Sequence, residues 1–193
     1  MAIAFGRERR HTEFKGPGRR TDKAFLAKVV RAVLGLANTP DGGVVIIGVE
    51  DDGTKLTPTG LSKSEAATWG YDDLHASLAN YADPFVECEV APLKLDDCTF
   101  IVIEVREFGE IPVLCKKDLG DTLRRGALYV RRRGKIETVE VPSHVEMREV
   151  IERAAEIRAR NILAAAARVG LAHEPPDVPT AAERFAAEAQ DLL

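Results

Sequence analysis

The stretch from Val44 to Val49 sets the strongest limit on how this chain can fold. It reads Val-Val-Ile-Ile-Gly-Val, follows Thr39-Pro40-Asp41-Gly42-Gly43, and runs directly into Glu50-Asp51-Asp52-Gly53. Adjacent β-branched residues favour a strand over a helix. A strand with no polar face has to be covered on both sides, so it belongs inside a sheet with layers above and below. Such a strand, stopping at adjacent carboxylates, can hold a metal ion or a catalytic acid rigidly. Read as local sequence, the same acids also fit a solvated turn.

The elements around this run follow from spacing. Phe25, Leu26, Val29, Val30, Val33, Leu34 and Ala37 recur at helical intervals, which predicts a helix from about Lys23 to Ala37. Thr21 and Asp22 are its candidate N-caps, and Pro40 with the paired glycines ends it. A short helix is expected over 72–81. Strands are expected over 86–90, 100–105, 112–115 and 127–133. Residues 1–20, with Gly6, Gly16, Pro17 and Gly18, read as an extended loop. The longest helical pattern covers 143–168, opening on Ser143 with Glu146 at capping-box spacing. A short terminal helix is expected over 180–193. Strands in a run with helices at each end predict an α+β fold, a mixed β-sheet flanked by helices. The expected division is a domain over 1–142 and a helical C-terminal extension over 143–193. The alanine-rich run 164–167 would suit either a dimer interface or packing within the chain.

Composition narrows the setting. No apolar run reaches the roughly 18 residues of a membrane span, and the arginine-rich start lacks a signal peptide's apolar stretch. A cytoplasmic protein with no membrane partner is expected. Cys88, Cys98 and Cys115 form no C-x-x-C pair, which predicts buried or half-buried thiols and neither a disulfide frame nor a zinc site. The net charge of −4 conceals an asymmetry. Residues 6–31 carry nine Lys/Arg against three acids, and residues 111–139 carry eight against three. Residues 47–110 carry four against fourteen. Two basic blocks brought together would suit a phosphate backbone; kept apart, they are solvated surfaces.

Gly48 to Lys55 superficially resembles a nucleotide phosphate loop. However, Thr54 and Lys55 stand in the wrong order, no helix follows, and three acids would repel phosphate. There is no Gly-x-Ser-x-Gly elbow, and His11, His75, His144 and His173 are scattered. On local sequence Glu8, Glu13 and Asp51 read either as plain surface charges or as one site. If gathered at one point they would repel one another, and a hard divalent ion would relieve that repulsion.

Glu8-x4-Glu13-Phe14-Lys15 resembles the opening motif of Schlafen-type AlbA-like domains. Ala37-Asn38-Thr39-x-x-Gly42-Gly43 with Ile46-Ile47-Gly48-Val49-Glu50-Asp51 is similar to that family's central signature. Gly60-Leu61 and Leu128-Tyr129-Val130-Arg131 are similar to its later motifs, in order, over about residues 7–140. The resemblance implies an AlbA-like core and a nucleic-acid partner, RNA favoured over DNA. It implies a divalent-metal-dependent endoribonuclease acting on structured RNA such as tRNA, with Glu8, Glu13 and Asp51 as catalytic residues and ligands of Mg²⁺ or Mn²⁺. No organic cofactor is expected. Arg9, Arg10, Lys15, Arg19, Arg20, Arg131, Arg132, Arg133 and Lys135 are the expected phosphate contacts. Cutting members of the family use two such lobes, so a homodimer is expected here. Two other readings stay open, a non-catalytic DNA- or RNA-binding module and an ATP-binding regulator.

Overall fold

The computed structural model describes residues 10–132 and 137–171. The chain divides into two compact units, Met1–Ala155 and Glu156–Leu193. The expected terminal helix over 180–193 lies outside the described residues. No described helix is long and apolar enough to cross a membrane.

The first unit is built on a four-stranded sheet. In chain order its strands are β1 (Thr12–Lys15), β2 (Gly43–Ile47), β6 (Cys88–Leu95) and β7 (Cys98–Val105), arranged β1-β2-β7-β6. β1 pairs with β2 in parallel, and the other neighbours are antiparallel. The fold is therefore α+β with a mixed sheet. The segment expected as an N-terminal loop supplies its edge strand. Four residues of mixed polarity, Thr-Glu-Phe-Lys, are too short and too polar for strand periodicity to stand out.

The apolar run is covered on both sides, as its composition requires. Val45 and Ile47 lie in register with Ile103 and Ile101. They share that face with α1 (Lys23–Ala37), whose side chains Val29, Val30, Val33 and Leu34 are wholly buried. On the opposite face Phe14, Ile46, Val49 and Phe100 form a second apolar cluster. α1 starts where the spacing predicted. Asp22 caps it, accepting from the amides of Ala24 and Phe25 at 2.9 and 3.1 Å.

The expected single strand Val44–Val49 is two strands. Gly48 has φ 109°, a backbone conformation that side chains disfavour. The chain turns there, and β3 (Val49–Asp51) leaves the sheet to pair with β4 (Leu56–Pro58). The turn is fixed by Gly48, whose N–H donates to Lys15 while its carbonyl accepts from Thr59 and Gly60. A Cβ at Gly48 would lie 2.9 Å from Leu61 and 3.0 Å from Phe100.

Two short helices, α2 (Lys63–Ala66) and α3 (Tyr71–Tyr81), precede β5 (Ala82–Asp83). Later come β8 (Leu114–Cys115), β9 (Tyr129–Arg131) and β10 (Thr138–Glu140), then α4 (His144–Arg168). β9 and β10 pair with each other, and both pack on α1. Asn38, just past α1, is buried. Its side-chain amide donates to the carbonyls of Val113 and Tyr129 at 2.8 and 3.0 Å and accepts from the Val113 N–H at 2.8 Å. One side chain thus joins the end of α1 to two distant segments. At the start of α4 the Ser143 hydroxyl donates to the Glu146 carboxylate and accepts from the Val145 N–H at 3.1 Å, in place of the reciprocal backbone bonds of a capping box. In the second unit, the described part of α4 exposes Ile162 and Leu163.

Candidate functional site

Alternation along β1 sorts its residues between the two faces. Phe14 enters the apolar cluster, while Glu13 and Lys15 share the α1 side of the sheet. β1 is an edge strand, so this side opens at its margin into a cleft of about 540 Å³. Glu13, Lys15 and Gly16 line it from β1 and the residue after it. Lys28 and Arg31 line it from α1, and Asp51 lines it from β3. Glu137 and Thr138 also line it, at the start of β10.

Glu13 is only 7% exposed. Its carboxylate accepts from Lys15 through one oxygen and from the guanidinium of Arg131 through the other. Arg131 is 1% exposed and makes two further bonds to the backbone leading into and along β1. Its Nη2 donates to the Thr12 carbonyl at 2.9 Å and its Nε to the Arg10 carbonyl at 3.1 Å. A planar guanidinium with several fixed donors can hold a carboxylate and two carbonyls together. This ion pair joins β9 to the edge strand and is the best-buried ionic contact of the cleft among the described residues.

Asp51 is exposed. Its Oδ1 accepts from the Gly53 N–H at 2.8 Å, closing a tight local turn. Neighbouring Asp52 is also turned inward on its own loop. Its Oδ1 accepts from the Thr54 hydroxyl and from the amides of Thr54 and Lys55. The Thr54 hydroxyl bond, followed by those two amides, pulls the Asp52 carboxyl down to about 2.

The structure brings Glu13, Lys15 and Asp51 to one cleft. Glu8, Arg9, Arg133 and Lys135 lie outside the described residues. Arg131, one of the expected phosphate contacts, has its side chain fully covered and faces Glu13. Arg20, another expected contact, is held within the protein. Its guanidinium bonds to the Thr68 carbonyl at 2.8 Å, the Ser77 hydroxyl at 3.0 Å and Asp73 at 2.9 Å, tying the loop before α1 to the segment after α2 and to α3. Trp69 reinforces that tie by donating to the Gly18 carbonyl at 2.9 Å. Arg19 reaches Ser64 at 3.0 Å, and Arg132 reaches Glu137 at 3.4 Å. Arg10 contributes its carbonyl to Arg131. His11 binds the Gly42 carbonyl through Nδ1 at 2.9 Å, so that nitrogen carries the proton.

Lys28 and Arg31 were not among the expected contacts. Their signal was in the sequence, as two cations three residues apart within the apolar body of the helix, which puts both on one side of it. Arg31 is held in place by the Thr138 carbonyl at 2.6 Å and lies over the Tyr129 ring, 5.5 Å from its centre.

No group of three His, Cys, Asp or Glu side chains able to hold a metal ion is present among the described residues. Both Glu13 oxygens face cations, which oppose a second positive charge at the same atoms. The three cysteines are free thiols, and burial pushes Cys88 up to about 11.

A family model described as Schlafen, AlbA_2 matches residues 8–140. The chain belongs to the Schlafen AlbA_2 family. The matched span takes in β1, the Gly48 turn and the β9–β10 hairpin, so every described wall of the cleft is part of the Schlafen AlbA_2 domain. Among solved structures, the chain is similar to the DIP2311 protein from Corynebacterium diphtheriae, at 20% identity and a TM-score of 0.47. That match covers 67% of this chain and 22% of that one. It is also similar to the N-terminal domain of a RecG-related protein from Nitrosomonas europaea. There the identity is 21% and the TM-score 0.46, over 74% of this chain and 93% of that one. No curated protein matches the sequence.

Proposed function

We propose that this protein binds nucleic acid, with RNA favoured over DNA, along the cleft between β1 and α1. One observation carries the reading. Glu13, Lys15 and Asp51, which stand in the chain's two most distinctive motifs, line a single open cleft together with two cations of α1. A pure solvated-surface role would not require residues so far apart in sequence to converge. Membership of the Schlafen AlbA_2 family supports the same reading. The test is fluorescence anisotropy of a labelled RNA stem-loop titrated with the protein over a range of salt. Binding that weakens linearly in log–log form as salt rises is expected. Absence of binding at low salt to both RNA and DNA stem-loops would refute it.

A second reading, endoribonuclease activity with Mg²⁺ or Mn²⁺, is favoured by the convergence of Glu13 and Asp51 on that cleft. Incubation of tRNA with the protein and either ion, resolved on a denaturing gel, decides it. Cleavage that disappears in Glu13→Gln supports the reading, and intact tRNA under every condition ends it. A homodimer pairing two clefts belongs to the same proposal, and light scattering on the eluting protein measures it directly.

A further inference from the structure

We infer that Lys28 and Arg31 of α1 form a seat for a backbone phosphate, and that the Arg131–Glu13–Lys15 cluster makes this seat possible. The inference rests on the nucleic-acid reading and names the part of the cleft that would grip the polymer.

Charge is the first argument. The lining contains the carboxylates of Glu13, Asp51 and Glu137, which would repel a phosphate if they stood alone. Glu13 is neutralised from two directions by Arg131 and Lys15. Arg132 stands 3.4 Å from Glu137. Asp51 shares one oxygen with the Gly53 amide. The α1 cations therefore face a cleft in which Glu13 and Glu137 are paired with other cations, while Asp51 keeps its charge in solvent.

Preorganisation is the second. Arg31 does not sweep freely through solvent. The Thr138 carbonyl and the face of Tyr129 fix its plane, which lowers the entropy lost when it captures an anion. The Thr138 carbonyl engages Nη2, and the guanidinium carries further N–H donors beside it. Lys28, one turn earlier on the same side of α1, is exposed and reaches the same cleft. A fixed fork beside a mobile ammonium suits a phosphodiester, with the fork giving direction and the ammonium giving charge.

The experiment compares wild type with Lys28→Ala and Arg31→Lys, using the same RNA stem-loop and a DNA stem-loop of matching sequence. Lys94→Ala, on β6 and away from the cleft, is the control. Lys28→Ala should weaken binding roughly tenfold and flatten the log K against log salt slope by a little under one, the signature of one lost phosphate contact. Arg31→Lys keeps the charge and loses the fork, so affinity should fall while the slope holds. The control should match wild type in both. Lys28 is exposed, so its variant tests the seat even if Arg31→Lys folds poorly. Wild-type binding that Lys28→Ala leaves unchanged in affinity and slope would overturn the seat and leave the binding reading standing. Failure of wild type to bind either stem-loop would overturn both.

Discussion

Arg131 and Lys28 serve one cleft from opposite conditions. Arg131 lies behind it, 1% exposed, with Glu13 and two backbone carbonyls as partners. Lys28 stands at its margin, open to solvent. Both are cations in a basic stretch of sequence, and composition alone treats them alike. Water separates their roles. A charge without water must find its counter-charge within the protein, and it then becomes part of the structure. A charge that keeps its water can exchange it for a ligand. Arg20 stands between these extremes, since it is partly exposed yet bonded to three groups.

The sharpest way to break this contrast is at the buried end. Arg131→Met leaves Glu13 buried beside a single cation, and a stability loss of about 3–5 kcal/mol is expected in urea denaturation. Adding Glu13→Leu to that variant should recover much of the loss, because no buried carboxylate remains and half-buried Lys15 keeps access to water. A double variant as unstable as the single one would mean that backbone bonds to Thr12 and Arg10 dominate. Next in size is Arg20→Ala, expected to cost about 1–3 kcal/mol while leaving the salt slope of RNA binding unchanged. A flatter slope would return Arg20 to the phosphate contacts. At the open end, Arg106 approaches Glu87 and Glu89 at 3.6 and 3.7 Å with all three side chains well exposed. Arg106→Ala should change stability by less than about 1 kcal/mol.

The smallest effect concerns pH. The Asp52 carboxyl is lowered to about 2, mainly by the Thr54 hydroxyl and then by the Thr54 and Lys55 amides. Because the folded value is depressed, the loop's contribution is fully present above the ordinary carboxylate range. It disappears as pH falls through about 2. Carbon-detected NMR titration should place the Asp52 midpoint near 2, and Thr54→Val should raise it.

Much of the fold was legible because it depends on local pattern. α1 is set by an apolar spacing, an Asp cap and a following proline, all visible in the sequence. The buried run, the short helix before Tyr81 and the long helix after Ser143 were legible for the same reason. What escaped depends on partners distant in sequence. β1 is a strand only because β2 lies beside it, and Gly48 divides the apolar run because Leu61 and Phe100 crowd its position. At the cleft, the motif spacing identified Glu13, Lys15 and Asp51. The fates of Arg20 and Arg131 were hidden, since burial of a cation is decided by tertiary contacts that leave no periodic trace. Lys28 and Arg31 had a helical signal, but nothing in it pointed to the cleft.

The contact between Arg131 and Glu13 spans 118 positions of the chain. On a ribosome, the edge strand would emerge early and wait for its partner until most of the domain had been made. Until then Glu13 would carry its charge in water, and the cleft would lack its back wall. Closing so long a loop comes late and slowly in folding. The cleft is thus completed only after most of its domain has been synthesised, so a truncated chain ending before β9 would carry the opening motif without the completed cleft.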